Sequence, residues 1–216
     1  NSSFIKTDLL TIDLSQKGMD TYFLKEIYDT RVFLKRTINK YLDFKNHKII
    51  GLENLFNHQI KNKLRNKKIK NIIFTGMGSC YTAAVGISKY LNLKINNLGY
   101  NAIKVEATIA SEGSGFYLSD NMSDTIIVVI AQSGTTIDTN VFAKMAKERG
   151  AYTIAIVNKK QGDVTYIVDQ SIYLGNGRDV EMSVPSTKTY TCHLITGFIF
   201  SEKLTEVLDH KVNKNF

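Results

Sequence analysis

The chain has 216 residues, a formal charge of +8, and 43% hydrophobic against 22% charged residues. That balance belongs to a globular α/β-sized protein able to bury a core, and it excludes a disordered tail or a fibrous repeat. No stretch approaches the roughly 20 apolar residues of a membrane span, and the polar N-terminus is not a secretory signal, so no membrane partner is expected. Asn1 is no natural initiator, so a trimmed or excised piece is expected. The two cysteines, Cys80 and Cys192, have neither metal-ligand spacing nor the framework of a disulfide-stapled domain. A reducing cytoplasm, no metal and no cofactor are therefore expected. The positive charge raises nucleic acid as a partner, yet the basic run Lys61 to Lys70 lacks aromatics for base stacking. It reads as a solvated helix end leading into a strand, with no nucleic-acid role.

Taken in order, residues 1–17 show no clear period and are expected to form an arm on the surface or against a partner subunit. From Asp20, a possible N-cap, the positions Phe23, Ile27, Leu34, Ile38 and Tyr41 mark a long amphipathic helix. Leu52, Leu55, Phe56, Ile60 and Leu64 mark a second. Asn71 to Thr75 reads as the first strand, running into Gly76-Met77-Gly78-Ser79-Cys80-Tyr81 and a small-residue helix. The third glycine of a dinucleotide fingerprint would fall at Tyr81, so a nucleotide is disfavoured there and a smaller phosphate remains open.

Ile103 to Ala107 reads as a second strand, followed by a flexible connection over Ser111 to Gly115. The stretch Asp124 to Ile130 is the strand that organises the rest, because an unbroken apolar run suits a strand covered on both faces of a parallel sheet. A hydroxyl-rich turn, Ala131 to Thr136, leads into a helix with Ile137, Val141 and Met145 on one face, ending near Gly150. Two more strands, Thr153 to Val157 and Gln170 to Leu174, flank a polar loop and short helix over Asn158 to Thr165. Gly175 to Pro185 is a long polar segment, and Ser186-Thr187-Lys188-Thr189 opens a last apolar helix. Residues 1–66 are expected to be an arm and helices packed on a domain spanning 67–210.

Repeated strand–helix units imply a doubly wound parallel sheet, in which ligands sit at the carboxyl ends of the strands where strand order reverses. Three helix starts rich in Ser and Thr, at Ser79, Ser133 to Thr136 and Ser186, would then face one crevice. Backbone N–H groups, hydroxyls and the positive ends of helix dipoles together make an anion site. Each such turn is also an ordinary capping sequence; only their convergence points to a ligand.

The motifs Lys25-Glu26-Ile27-Tyr28, Gly78-Ser79-Cys80-Tyr81, Ile109-Ala110-Ser111-Glu112, Ala131-Gln132-Ser133-Gly134-Thr135-Thr136 and Val184-Pro185-Ser186-Thr187-Lys188 occur in an order that resembles a sugar isomerase (SIS) domain. The likeness is to the first of the two SIS domains in the isomerase half of glucosamine-6-phosphate synthases, over about Gly18 to Lys203. The resemblance implies a three-layer α/β/α sandwich with a five-stranded parallel sheet that binds phosphorylated sugars. In the synthases, fructose 6-phosphate and glutamine-derived ammonia become glucosamine 6-phosphate. By resemblance Ser79, Cys80, Gln132, Ser133, Thr136, Val184 and Ser186 are the candidate substrate-binding residues: Ser79, Gln132, Ser133 and Thr136 on the phosphate, Val184 and Ser186 along the sugar.

The family usually carries Ser where Cys80 and Ala131 stand, and Glu where Thr135 stands. Each lost hydroxyl removes a hydrogen bond worth about 1.5–3 kcal/mol to a charged ligand, so affinity or sugar preference is expected to differ. The synthase's glutaminase domain, its second SIS domain, and the tail with its Schiff-base lysine and proton-transferring glutamate have no counterpart in these 216 residues, so no catalytic residue is assigned. Lys188 reads as a helix-start residue, Glu181 as a solvated loop carboxylate, and His193 as a packed or hydrogen-bonded core residue. Cys80 reads as a structural thiol in place of a serine. The expected partners are a sugar phosphate and either a second copy of the chain or a second SIS domain. The alternatives are a sugar-phosphate sensor, or a single-domain aldose–ketose isomerase completed across a dimer.

Overall fold

A computed structural model describes residues 15–116, 118–177, 179–183 and 186–209. A long helix α1 (Tyr22–Tyr41) is followed by a small antiparallel hairpin of β1 (Leu42–Asp43) and β2 (Lys48–Ile49), then α2 (His58–Arg65). Strand and helix alternate from there: β3 (Asn71–Gly76), α3 (Ser79–Asn97), β4 (Lys104–Ile109), α4 (Ala110–Phe116), β5 (Thr125–Ala131), α5 (Ile137–Glu148), β6 (Tyr152–Val157), α6 (Val164–Ile167), β7 (Gln170–Tyr173) and α7 (Lys188–Leu208). The five strands β3 to β7 form one sheet in the order β4-β3-β5-β6-β7, every neighbour parallel. The chain leaves β3 toward β4 on one side and returns to β5 on the other, so strand order reverses between β3 and β5.

All seven residues of β5 are buried, which is why its sequence runs apolar without alternation. The two-residue period still sorts its side chains. Ile126, Val128 and Ile130 join Ile72, Phe74, Ile154 and Ile156 in a core packed with side chains of α1, α2, α3 and α7. Ile127, Val129 and Ala131 face the other way, into a smaller core with Phe142, Ala143 and Ala146 of α5 and Val164 of α6. Helices therefore cover both faces, giving three α/β/α layers. Phe200 on α7 packs edge-on against Phe74 at 6.0 Å and tilted against Phe56 at 6.1 Å, fixing α7 across the sheet.

Several local expectations are corrected. Thr21, not Asp20, caps α1, its hydroxyl accepting from the Leu24 N–H at 3.1 Å. Tyr41 is buried as expected, but Phe23 and Ile27 are exposed, and Lys25, Glu26, Phe33 and Thr37 complete the buried face of α1. Leu52, Leu55 and Phe56 are buried as expected, but in the turn before α2. Ile137 and Val141 are exposed, because α5 buries Thr139, Phe142, Ala143 and Ala146. Ser111 to Gly115 is helical rather than a flexible connection. Gly113 lies so close to Phe142 that an added Cβ would stand 2.3 Å from its ring, so the absent side chain is what lets α4 pack on α5. Of the expected N-terminal arm, residues 1–14 lie outside the described residues. The basic run is solvent-facing at the end of α2, with Leu64 and Ile69 its buried members. No helix among the described residues is long and apolar enough to cross a membrane.

Candidate functional site

A cavity of about 180 Å³ opens at the carboxyl ends of β3 and β5, at the reversal of strand order. Six of the seven residues singled out from sequence line it: Ser79, Cys80, Gln132, Ser133, Thr136 and Ser186. The seventh, Val184, lies outside the described residues. The cavity is smaller than the roughly 300–1,000 Å³ of drug-sized pockets, which suits a compact polar molecule.

Two of its three helix starts are open. Gly78, at φ 55° and ψ −126°, precedes Ser79 in a conformation that a side chain would strain, and no side chain caps α3. Thr136 precedes α5 with extended backbone, and its hydroxyl makes no capping bond. The Cys80 N–H donates to the Met77 carbonyl at 3.1 Å, but the other first-turn N–H groups of a helix have no intrahelical acceptor, so both starts present donors to the cavity. The turn between β5 and α5 is held from behind. Gly134, at φ 73°, accepts from the Val164 N–H at 2.9 Å and from Asn140 Nδ2 at 3.2 Å through its carbonyl. A Cβ on Gly134 would meet Gly162 Cα at 2.9 Å, and one on Gly162 would meet the Ser133 carbonyl at 2.4 Å, so this backbone pair tolerates only glycine. Within the turn the Thr135 N–H donates to Ser133 Oγ at 3.2 Å, and the Ser133 and Thr135 hydroxyls share a 2.9 Å bond.

The third helix start is closed by a protein carboxylate. Glu181 Oε1 accepts from the Thr187 N–H at 2.8 Å and from its hydroxyl at 3.3 Å; Oε2 accepts from Ser186 Oγ at 3.2 Å and from Thr189 Oγ1. Glu181 is thus no solvated loop carboxylate. It lines the cavity and satisfies the first turn of α7, where the dipole also favours a negative charge. Beside it, Glu26 of α1 accepts from the Met182 N–H at 2.5 Å and from the Ser183 N–H and hydroxyl. Residues 179–183 are in this way strapped between α1 and α7.

The other three groups weighed from sequence are not positioned for chemistry. Burial pushes the Cys80 thiol up to about 11, outweighing the lowering by a hydrogen bond from the Gln132 backbone, so it is a thiol near neutral pH. His193 is fully buried on α7 with Nε2 3.2 Å from the Ala131 carbonyl, and desolvation lowers it to about 4. It is neutral, donates through Nε2, and pins the end of β5 from below. Lys188 is buried and lines a different cavity. Sequence reasoning passed over Met77, Thr139 and Ser183, which also line the first one. Thr139 could have been found as the residue one helical turn after Thr136; Met77 and Ser183 carry no such signal.

A family model for the SIS domain matches residues 63–199. The chain belongs to the SIS domain family. Its relatives include the glutamine–fructose-6-phosphate aminotransferase (isomerizing) of Thermococcus kodakarensis, 31% identical over 202 residues, which cover 92% of this chain and 29% of that protein. The SIS chain thus spans about three tenths of the length of such relatives. The C-terminal domain of the glucosamine-fructose-6-phosphate aminotransferase from Francisella tularensis superposes with a TM-score of 0.72 at 24% identity, over 90% of this chain and 50% of that one. A glucosamine-6-phosphate deaminase from Thermotoga maritima superposes with a TM-score of 0.63 at 20% identity, over 86% of this chain and 49% of that one. The fold is shared with both, and the expected five-stranded parallel sheet between helices is the one observed.

Proposed function

We propose that this SIS domain binds a hexose 6-phosphate, with the phosphate at the open starts of α3 and α5 and the sugar extending toward Ser186. One observation carries the reading: Ser79, Gln132, Ser133 and Thr136, on two different strand–helix turns, line a single cavity with two uncapped helix N-termini. No lysine or arginine lines that cavity among the described residues, so a phosphate there is held by hydroxyls, backbone N–H groups and helix dipoles. Glu181 sets the orientation. Its charge repels a phosphate from the α7 end, while the Ser186 hydroxyl oxygen can meet a sugar hydroxyl.

By relation to the aminotransferases, the reading extends to fructose 6-phosphate or glucosamine 6-phosphate as ligand, to a role as one SIS unit of a synthase-like enzyme, and to pairing with a second SIS unit or second copy. Among the cavity's described lining residues the one carboxylate is committed to four hydrogen bonds and there is no amine to form a Schiff base, so the isolated chain binds without making glucosamine 6-phosphate. The test is thermal unfolding with and without ligand. Fructose 6-phosphate at a hundredfold excess over its dissociation constant stabilises by about 2.7 kcal/mol, while fructose at the same concentration leaves the melting temperature in place. Equal shifts with both sugars, or none with either, contradict the phosphate seat. A product assay with fructose 6-phosphate and ammonia is expected to stay at background, and turnover above it overturns the non-catalytic reading.

A further inference from the structure

On the other side of the 179–183 strap lies a second cavity of about 210 Å³. Asp179 and Val180 line it, whereas Glu181 and Ser183 line the first. Its charged lining comprises four cations, Lys17, Lys25, Arg36 and Lys188, against two carboxylates, Asp29 and Asp179. Asp29 is shared by Lys17 at 3.3 Å and Lys25 at 3.5 Å, and Arg36 pairs with Asp179 at 2.7 Å. Lys188 is 4% exposed, yet among the described residues no carboxylate lies within 4.0 Å of its Nζ. Its ammonium instead donates to the Val180 carbonyl at 2.6 Å and stands 5.9 Å from the centre of the Phe33 ring. The Glu26 carboxylate, on the same helix as Lys25, is turned to the Met182 and Ser183 N–H groups. A buried ammonium that no described carboxylate meets directly carries a desolvation cost, which a bound anion would offset.

We propose that this cavity is a second anion site, taking a compact dianion of the phosphate or short dicarboxylate class against Lys188, Lys25 and Arg36. It differs from the sugar-phosphate seat in kind. The first cavity offers neutral donors and helix ends; this one offers fixed positive charge, so its affinity falls with added salt to the extent that its exposed Lys17 and Arg36 contribute.

The test uses the whole chain carrying Ser133→Ala and Thr136→Val, which weaken the first seat. That chain is titrated calorimetrically with inorganic phosphate and, separately, with malonate at constant ionic strength. Saturable binding of at least one is expected, and the tighter of the two identifies the class. Adding Lys17→Gln and Arg36→Gln, both at partly exposed side chains, should weaken it at least tenfold with circular dichroism unchanged. No saturable binding of either anion, or binding indifferent to Lys17→Gln and Arg36→Gln, overturns the proposal.

Discussion

The two ends of the main cavity are built from the same residue types and behave differently. At the β5–α5 end, Ser and Thr hydroxyls stand at a helix start that no side chain caps. At the α7 end, Ser186, Thr187 and Thr189 are equally hydroxyl-bearing, but Glu181 collects all of them. The lesson is that a Ser/Thr-rich helix start becomes an anion seat only where the protein has not supplied the anion itself. The open end should govern ligand affinity and the closed end stability.

The largest expected effect lies at the closed end. Glu181→Ala leaves one N–H and three hydroxyls without their acceptor and should cost on the order of 3 kcal/mol, discounted for partial exposure. For a chain of this size that is a fall of roughly 6–12 °C in melting temperature. The variant should still prefer fructose 6-phosphate to fructose; losing that preference with stability intact would break the division between the two ends.

His193 joins the ends, reaching from α7 to Ala131. Its folded pKa of about 4 lies below the unfolded value near 6.5, so as pH falls the unfolded chain takes up the proton first. Stability from this group is complete above about pH 6.5 and is lost progressively toward pH 4, by about 3 kcal/mol in all. Urea unfolding of His193→Gln should show lower stability at pH 7 but a shallower acid loss than the parent chain. Parallel acid profiles would remove His193 from the account.

At the open end, Thr136→Val deletes a hydroxyl that makes no capping bond, so the melting temperature should move little. Affinity for fructose 6-phosphate should fall about tenfold or more, the equivalent of about 1.5–3 kcal/mol for a bond to a charged oxygen. Unchanged affinity with lowered stability would assign Thr136 to the scaffold. The smallest effect is at Cys80, a weak donor with its proton in place. Cys80→Ala should change affinity less than about threefold, and Cys80→Ser should tighten binding by supplying a stronger donor.

What could be read from sequence follows where burial leaves a periodic mark. The apolar run of β5 disclosed a strand covered on both faces, and the strand–helix alternation disclosed the doubly wound sheet. The buried faces of α1 and α5 were misread because their true stripes include polar or small residues. Thr139, Phe142, Ala143 and Ala146 follow helical spacing, but Thr and Ala weigh less in a hydrophobic pattern than the exposed Ile137 and Val141. On α1 the buried Lys25 and Glu26 look solvent-facing until the strap they face is known. The β1–β2 hairpin is two residues a side, too short for any alternation. Glu181 sits in a polar segment without periodicity, and its partners five to eight residues on are brought to it only by the α7 turn.

The central claim, that the open helix starts rather than the closed one seat the phosphate, can be mapped residue by residue. Backbone amide shifts of the ¹⁵N-labelled chain, followed by two-dimensional NMR as fructose 6-phosphate is added, should move most at Ser133 to Thr139 and at Ser79 to Tyr81. The Thr187 and Lys188 amides should move less, because the Thr187 N–H is already held by Glu181. Largest shifts at Thr187 and Lys188, with the α3 and α5 starts unmoved, would contradict it.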